Sequence, residues 1–425
     1  MPHATPSFAV PQATVGALAG TRPALRELRL LGAGLHSRRL VLLKSLLVRA
    51  ERHGVPPSVR RNLNEHWQLL ARAEARDPVA AREALDYPSV GNWLLHGLGI
   101  PLSRPSAFAE FLGGLGALAA SVALQTGTGF RLTLPARSGR LVLPGLGVYR
   151  SGASRVRVVA GPRSLRLTPG RRGTGTVLAP PYERAAGAGW HGLLPLHGGA
   201  TLLDALDPHR AGIRPREPGT PSLTPRTARR WAARWRGALV LLEAADPERR
   251  VEVARLVRAL VPLPRPAGRT KGASASGTLR SAPLAVMTEL PCSAQELAAV
   301  LVHEVQHSKL ALLSDLTPLH HADGTPAHRV PWRTDLRPFD AVLQGAYAHL
   351  ALADLWHRFA ARPGATTAAR AAARATCEGY RAQVAEALAV LGASGELTDT
   401  GARFTDGMAR RLGALHRHPS SASRT

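Results

Sequence analysis

Cysteine is almost absent from this chain. Cys292 and Cys377 are its two cysteines, too few for a disulfide framework or a zinc-ribbon site. Aromatic residues make up 4% of the sequence, so the stacking platforms that hold single-stranded nucleic acid are scarce. Lysine is as rare, with only Lys44, Lys271 and Lys309 among 55 basic residues. The rest are arginines, scattered among abundant Ala, Gly and Pro, a bias that a GC-rich genome writes onto any surface. Acidic residues number 29, which leaves a formal net charge of +26. That excess allows attraction to an acidic peptide or partner. Without clustering or interleaved aromatics it does not predict specific nucleic-acid binding. No apolar run is read as long enough to span a membrane. The opening Met1-Pro2-His3-Ala4-Thr5 lacks the charged and apolar regions of a signal peptide, so a cytoplasmic protein is expected. Neither a GxGxxG in strand–helix context nor a Walker sequence occurs, which argues against nucleotide-dependent chemistry.

What the chain has is length and apolar content: 425 residues, 45% hydrophobic, room for a large core. Residues 1–23, rich in Pro, Ala and Thr, read as a loose arm. Leucines at helical spacing from Leu25 to Leu47 predict helices broken near Gly32 and Gly34. Pro57 and Pro78 each start a further helix. Tyr87–Trp93 reads as a turn, and Phe108–Leu124 as a helix. Between Gly127 and Leu196, short β-branched runs separated by Gly, Pro and Ser predict several antiparallel strands. In that region Gly170-Arg171-Arg172-Gly173 is a solvated turn. Asp204, Asp207 and His209 are read as a capped turn before Pro208 rather than a metal cluster. Pro215–Pro225 is a linker, followed by helices from Thr224 or Thr227 to Glu243 and from Pro247 to about Leu260. The loop Pro262–Gly277 leads into a strand over Ser281–Leu290. The tail Pro419–Thr425 is expected to be disordered. These readings give a mainly helical α+β protein: a helical scaffold over 1–125, a β-rich region over 126–220 and a helical catalytic region over 221–425.

Chemistry enters with His303-Glu304-Val305-Gln306-His307, an HExxH sequence within a segment, Ala294 to about Leu313, that contains neither Gly nor Pro. Ser293-Ala294-Gln295-Glu296 ahead of it reads as a capping box. Histidines four apart lie on one helical face about a turn apart, so His303 and His307 can grip one ion. Glu304 projects beside them, where it acts as general base in metalloproteases of this pattern. A third ligand must come from elsewhere. A helix predicted over Phe339–Ala361 offers His349, one turn after Gly345, whose missing side chain would let a second helix approach. The competitors are His320, His321 and His328, in a loop expected to see solvent, and the carboxylates Asp315 and Asp354. Asp315 lies too far along the helix from His307 to share its ion. Arg333 and Arg337, just before the His349 helix, have the fork that suits a carboxylate.

His303-Glu304-Val305-Gln306-His307-Ser308-Lys309-Leu310, with Asp315-Leu316, Pro318-Leu319, Pro331-Trp332-Arg333, Arg337-Pro338 and Gln344-Gly345-Ala346-Tyr347-Ala348-His349, resembles the HExxH-type peptide β-hydroxylases of ribosomally made, modified peptides. The resemblance is strongest over residues 275–360. It implies a non-haem Fe(II), 2-oxoglutarate-dependent oxygenase, outside the usual jelly-roll fold, that uses O2 to hydroxylate a side-chain β-carbon of a precursor peptide. On that resemblance His303, His307 and His349 hold iron, and Arg333 or Arg337 anchors the distal carboxylate of 2-oxoglutarate. Glu304 would act from beside the ligands, and Tyr347 would line the site. An all-histidine set departs from the common two-His, one-carboxylate triad, which keeps Glu304 and Asp354 open as alternative ligands. A radical SAM partner, where there is one, is a separate chain, since this one has no cysteine triad for an iron–sulfur cluster. The competing reading is a zinc peptidase with Glu304 as base.

Overall fold

The computed structural model describes residues 10–161, 163–170, 173–210, 223–265 and 274–417. Arg171 and Arg172, most of the expected linker Pro215–Pro225, part of the loop Pro262–Gly277 and the tail Pro419–Thr425 lie outside the described residues. In chain order the elements begin with helices α1 (Gln12–Ala19), α2 (Leu25–Arg52), α3 (Pro57–Arg76), α4 (Pro78–Leu85), α5 (Pro88–Leu98), α6 (Pro105–Leu112) and α7 (Gly114–Gln125). Nine short strands follow: β1 (Phe130–Pro135), β2 (Arg140–Leu143), β3 (Gly147–Arg150), β4 (Arg155–Gly161), β5 (Ser164–Pro169), β6 (Thr176–Leu178), β7 (Trp190–Gly192), β8 (Leu194–Pro195) and β9 (Leu202–Leu203). Then come α8 (Pro225–Ala245), α9 (Pro247–Leu256), β10 (Ala259–Pro262), β11 (Ser276–Leu279), β12 (Ala282–Thr288) and α10 (Ala294–Leu316). The chain closes with β13 (His328–Val330), β14 (Arg333–Arg337), α11 (Phe339–Ala361), α12 (Thr367–Ala393) and α13 (Asp399–Arg417). The fold is mixed α+β and mainly helical, with small, chiefly antiparallel sheets and no jelly roll among the described residues.

The residues fall into two compact units. One comprises Leu35–Ala232 with Arg258–Pro264, the other Met1–Gly34, Ala233–Val257 and Arg265–Thr425. The helical and β-rich regions expected over 1–125 and 126–220 thus share one unit, because α7 packs on α3 and α4 and also on β1 and β2. The first 34 residues belong with the C-terminal region instead.

In the Leu35–Ala232 unit, apolar residues alternate along β1, where Phe130, Leu132 and Leu134 are buried and Arg131 and Thr133 exposed. That period of two is what a half-buried strand needs. β1, β4, β5 and β6 form one antiparallel sheet, and β2, β3 and β7 another. Asp204 and Asp207 cap a turn: Asp204 accepts from the Leu206 and Asp207 amides, and Asp207 from that of His209. Tyr87–Trp93 is not a turn; Pro88 occupies the first turn of α5, where its missing N–H is harmless. The stretch Pro105–Gln125, 21 residues, is long and apolar enough by composition to cross a membrane, contrary to the sequence reading. Its apolar side chains are spent on the core, where Leu115, Leu118, Ala119 and Val122 are buried.

In the other unit the expected loose arm contains α1, which buries Val15, Leu18 and Ala19 and packs on α13. α2 runs unbroken through Gly32 and Gly34. A Cβ at Gly34 would come within 2.7 Å of Leu316, so this glycine makes room for a neighbour rather than ending a helix. α10 starts as the capping box predicts: the Ser293 hydroxyl accepts from the Glu296 amide at 3.0 Å. Glu296 reaches back to the Cys292 amide, one residue further than expected. α10 lies against α11 and the β11–β12 hairpin, and α11 against α12. Leu297, Leu301, Val302 and Val305 of α10 and Val342, Ala346 and Leu350 of α11 are buried in this core.

Candidate metal centre

α10 brings His303 and His307 to one face, a turn apart. Their Nε2 atoms face each other at 3.0 Å, with the rings nearly perpendicular at 82°. The Nδ1 of His307 lies 2.9 Å from Oε1 of Gln344 on α11. A carbonyl oxygen can only accept, so this contact places the imidazole proton on Nδ1 and leaves the Nε2 lone pair for a cation. His349, also on α11, has its ring centroid 5.8 Å from that of His303. Trp332 meets the His349 ring edge-on at 4.5 Å, and Tyr380 of α12 lies 5.0 Å away. The Nδ1 of His349 is buried without a hydrogen-bond partner. Burial, with the neighbouring His307 and His349, holds His303 well below its usual pKa, and burial lowers His349 to about 4.

Among the described residues no group of three His, Cys, Asp or Glu is already gathered closely enough to hold an ion. The two histidines of α10 nonetheless make a ready bite. Two nitrogens at right angles, each about 2.1 Å from one ion, stand about 3 Å apart, and the observed Nε2 separation is 3.0 Å. His349, with its orphaned Nδ1, adds a third imidazole beside them. These residues fit a first-row metal.

Glu304 is buried, and both its oxygens are engaged: Oε1 accepts from Ser276 Oγ at 2.7 Å and Oε2 from Thr278 Oγ1 at 2.8 Å. Ser276 and Thr278 belong to β11, which begins at the end of the stretch read as loop and runs on to Leu279. The hairpin is pinned again one residue past His307, where Ser308 Oγ accepts from the Leu284 amide. Leu284 has φ of 71°, a left-handed conformation that strains a residue with a Cβ.

Arg333 and Arg337 lie on β14, on the same face as Asp335. Both donate to its carboxylate, Arg333 through Nε at 2.9 Å and Arg337 through Nη1 at 3.1 Å. Those two guanidinium groups hold the Asp335 carboxyl down at about 2. The β13–β14 hairpin turns at Pro331-Trp332, so the strand that carries the arginines also delivers the Trp332 indole to His349. A Cβ at Gly345 would lie 2.6 Å from that indole. The glycine expected to admit a helix admits a tryptophan.

Tyr347 is not brought to the histidines. Two residues from His349, it points to the other side of α11, where its hydroxyl donates to the Leu18 carbonyl at 2.6 Å and its ring packs on Phe404. Asp354 is likewise elsewhere, buried between Arg22 and Arg411. Of the loop histidines, His321 is exposed as expected, whereas His328 Nε2 lies 2.8 Å from Glu396 and His320 packs on Phe339. Behind α10, Lys309 is fully buried against Glu252 and the Thr21 carbonyl. Arg249 joins the same group, bonded to Glu252 and Thr21.

Sequence reasoning missed Gln344, Ser276 and Thr278. Gln344 stands among the residues of the resemblance and as an isolated amide in the apolar run of α11, without a role assigned to it; nothing singles out the two hydroxyls. No protein-family model and no curated protein matches the chain.

Proposed function

We propose that this protein is an Fe(II)- and 2-oxoglutarate-dependent oxygenase that hydroxylates a side-chain β-carbon of a ribosomally made precursor peptide. The observation that carries the reading is the pair of imidazole nitrogens facing each other at 3.0 Å with a third histidine ring beside them. His303, His307 and His349 would hold the iron. Bound there with its co-substrate, the metal would supply the activation of O2 that accompanies oxidative decarboxylation of 2-oxoglutarate.

The remaining roles belong to this chain's own side chains. Gln344 fixes the His307 tautomer and ring angle. Glu304, bridged to β11 by two hydroxyls, holds the hairpin in register with the helical turn that carries His303 and His307. Arg333 or Arg337 would take the distal carboxylate of 2-oxoglutarate by exchanging it for Asp335. Trp332 screens His349 from water. β11 is the outermost strand of its sheet, so an extended peptide could pair along it. The zinc peptidase reading asks Glu304 to act as a base, but both of its oxygens already serve Ser276 and Thr278, which favours the positioning role.

The test is anaerobic reconstitution with Fe(II), followed by 2-oxoglutarate, O2 and a peptide encoded beside the gene. A gain of one oxygen atom on the peptide, with succinate released, is expected. Peptide cleavage by the zinc-loaded protein, without oxygen gain by the iron-loaded one, would overturn it.

A further inference from the structure

The Leu35–Ala232 unit contains a cavity of about 420 Å³, a size that suits a compact ligand or one anchoring side chain with its surroundings. One wall is apolar. Trp93 of α5 and Phe111 of α6 stack there with centroids 4.9 Å apart, and Val90, Leu118 and Leu141 complete the lining. Another wall is positive. Arg137, Arg140 and Arg150 all line it, and the strand register sets them against one another. Arg140 of β2 lies opposite Arg150 of β3, and Arg137 bridges to Arg140 across the turn at Ser138-Gly139.

Like charges directly opposite on neighbouring strands repel and destabilise the pair. Among the described residues no carboxylate pairs with Arg140 or Arg150, and Arg137 has only the exposed Glu110 at 3.6 Å. The acid in the lining, Asp207, is committed to the Ser89 hydroxyl and the His209 amide. The local field reaches His191 on β7, whose pKa is lowered by burial and then by Arg150 and Arg140. β2 is also an edge strand. Because the Ser151 amide donates to the Gly139 carbonyl, the alternation of antiparallel pairing turns the Val142 N–H and C=O away from β3. Val142 lines the same cavity.

We propose that this cavity docks an acidic peptide segment. A large apolar side chain would seat on Trp93 and Phe111, neighbouring carboxylates would lie on Arg137, Arg140 and Arg150, and the peptide backbone would add to the edge of β2. The inference rests on this unit alone and stands or falls independently of the metal centre.

The experiment uses the full chain without added metal and a fluorescein-labelled synthetic peptide in which one Phe is flanked by Asp and Glu. Anisotropy should report saturable binding that weakens with salt. The double variant Arg140→Gln/Arg150→Gln should lose about tenfold or more in affinity, the two lost charged contacts together being worth at least that factor. The same variant should melt at a higher temperature than the parent, because the cross-strand repulsion is gone. Trp93→Ala should weaken binding as well, and the surface arginine variant keeps the test decisive should Trp93→Ala fail to fold. Equal affinity for a peptide with Phe replaced by Ala, or with its acids replaced by Gln, would overturn the proposal. So would unchanged binding by the double variant. Phenylacetate binding as tightly as the peptide would overturn it too, assigning the cavity to a small organic anion.

Discussion

The Gln344 amide is one of the smallest parts of the candidate centre and among the most telling. Its 2.9 Å contact decides which His307 nitrogen carries the proton, and outer partners of this kind are typically worth about 10–100-fold in metal affinity. Gln344→Ala should therefore weaken Fe(II) or Zn(II) binding by about that factor, read by competition with a chelator, while His303→Ala and His307→Ala abolish it. A different histidine sets an acid limit on stability. His66 is buried, and burial lowers its pKa to about 4. Since this folded value lies below the unfolded one near 6.5, the unfolded chain binds the extra proton between those values. Stability contributed by the neutral ring is present above about pH 6.5 and lost as pH falls toward 4, by at most about 3 kcal/mol. Denaturant unfolding of His66→Leu at several pH values should show a shallower acid limb than the parent.

At the scale of elements, Gly345 governs how the β13–β14 hairpin meets α11. Ala at this position would drive a methyl group against the Trp332 indole, at a cost of about 1–3 kcal/mol for overpacking. Gly345→Ala should lower the melting temperature and change the near-UV signal of Trp332, with α11 still helical. Element boundaries were legible where chemistry marks them locally. Pro57, Pro78 and Pro338 announce the starts of α3, α4 and α11, and Ser293 that of α10, each from its own neighbourhood. The same logic failed at Gly34, where a contact with Leu316 uses the glycine inside a helix, and at Tyr87–Trp93, where Pro88 starts a helix instead of marking a turn. β11 and the β13–β14 hairpin hid in polar stretches because their order comes from partners, namely Glu304 for β11 and Trp332 packed on His349 for β14. For the site, the spacing of His303 and His307 was enough to put both rings on one helical face, where their Nε2 atoms stand 3.0 Å apart. Helical spacing alone turns Tyr347 away from His349; what could not be read is its partner, a carbonyl 329 positions away.

Across the whole molecule, charge is distributed in two ways. Most arginines sit at the surface, but Arg249 and Lys309 are buried with Glu252, and Arg22, Asp246 and Asp354 extend that group. Burial lowers the Lys309 pKa to about 8, against the pull of Glu252. Removing one partner leaves a buried charge uncompensated, at roughly 3–5 kcal/mol, whereas replacing both by apolar groups is often neutral. Glu252→Leu, which strands both Lys309 and Arg249, should accordingly be strongly destabilised in chemical denaturation, and adding Lys309→Met should recover part of the loss, Arg249 keeping Thr21 and Asp354.

The bond from Lys309 to the Thr21 carbonyl spans 288 positions of chain. At roughly 5–20 residues per second of synthesis, the opening segment emerges on the order of a quarter-minute to a minute before the lysine that will secure it has been made. The contiguous stretch Leu35–Ala232 is finished in that interval and can settle first. Val15 and Leu18, destined for a core whose other half is still untranslated, face water or a chaperone until the last helices leave the ribosome.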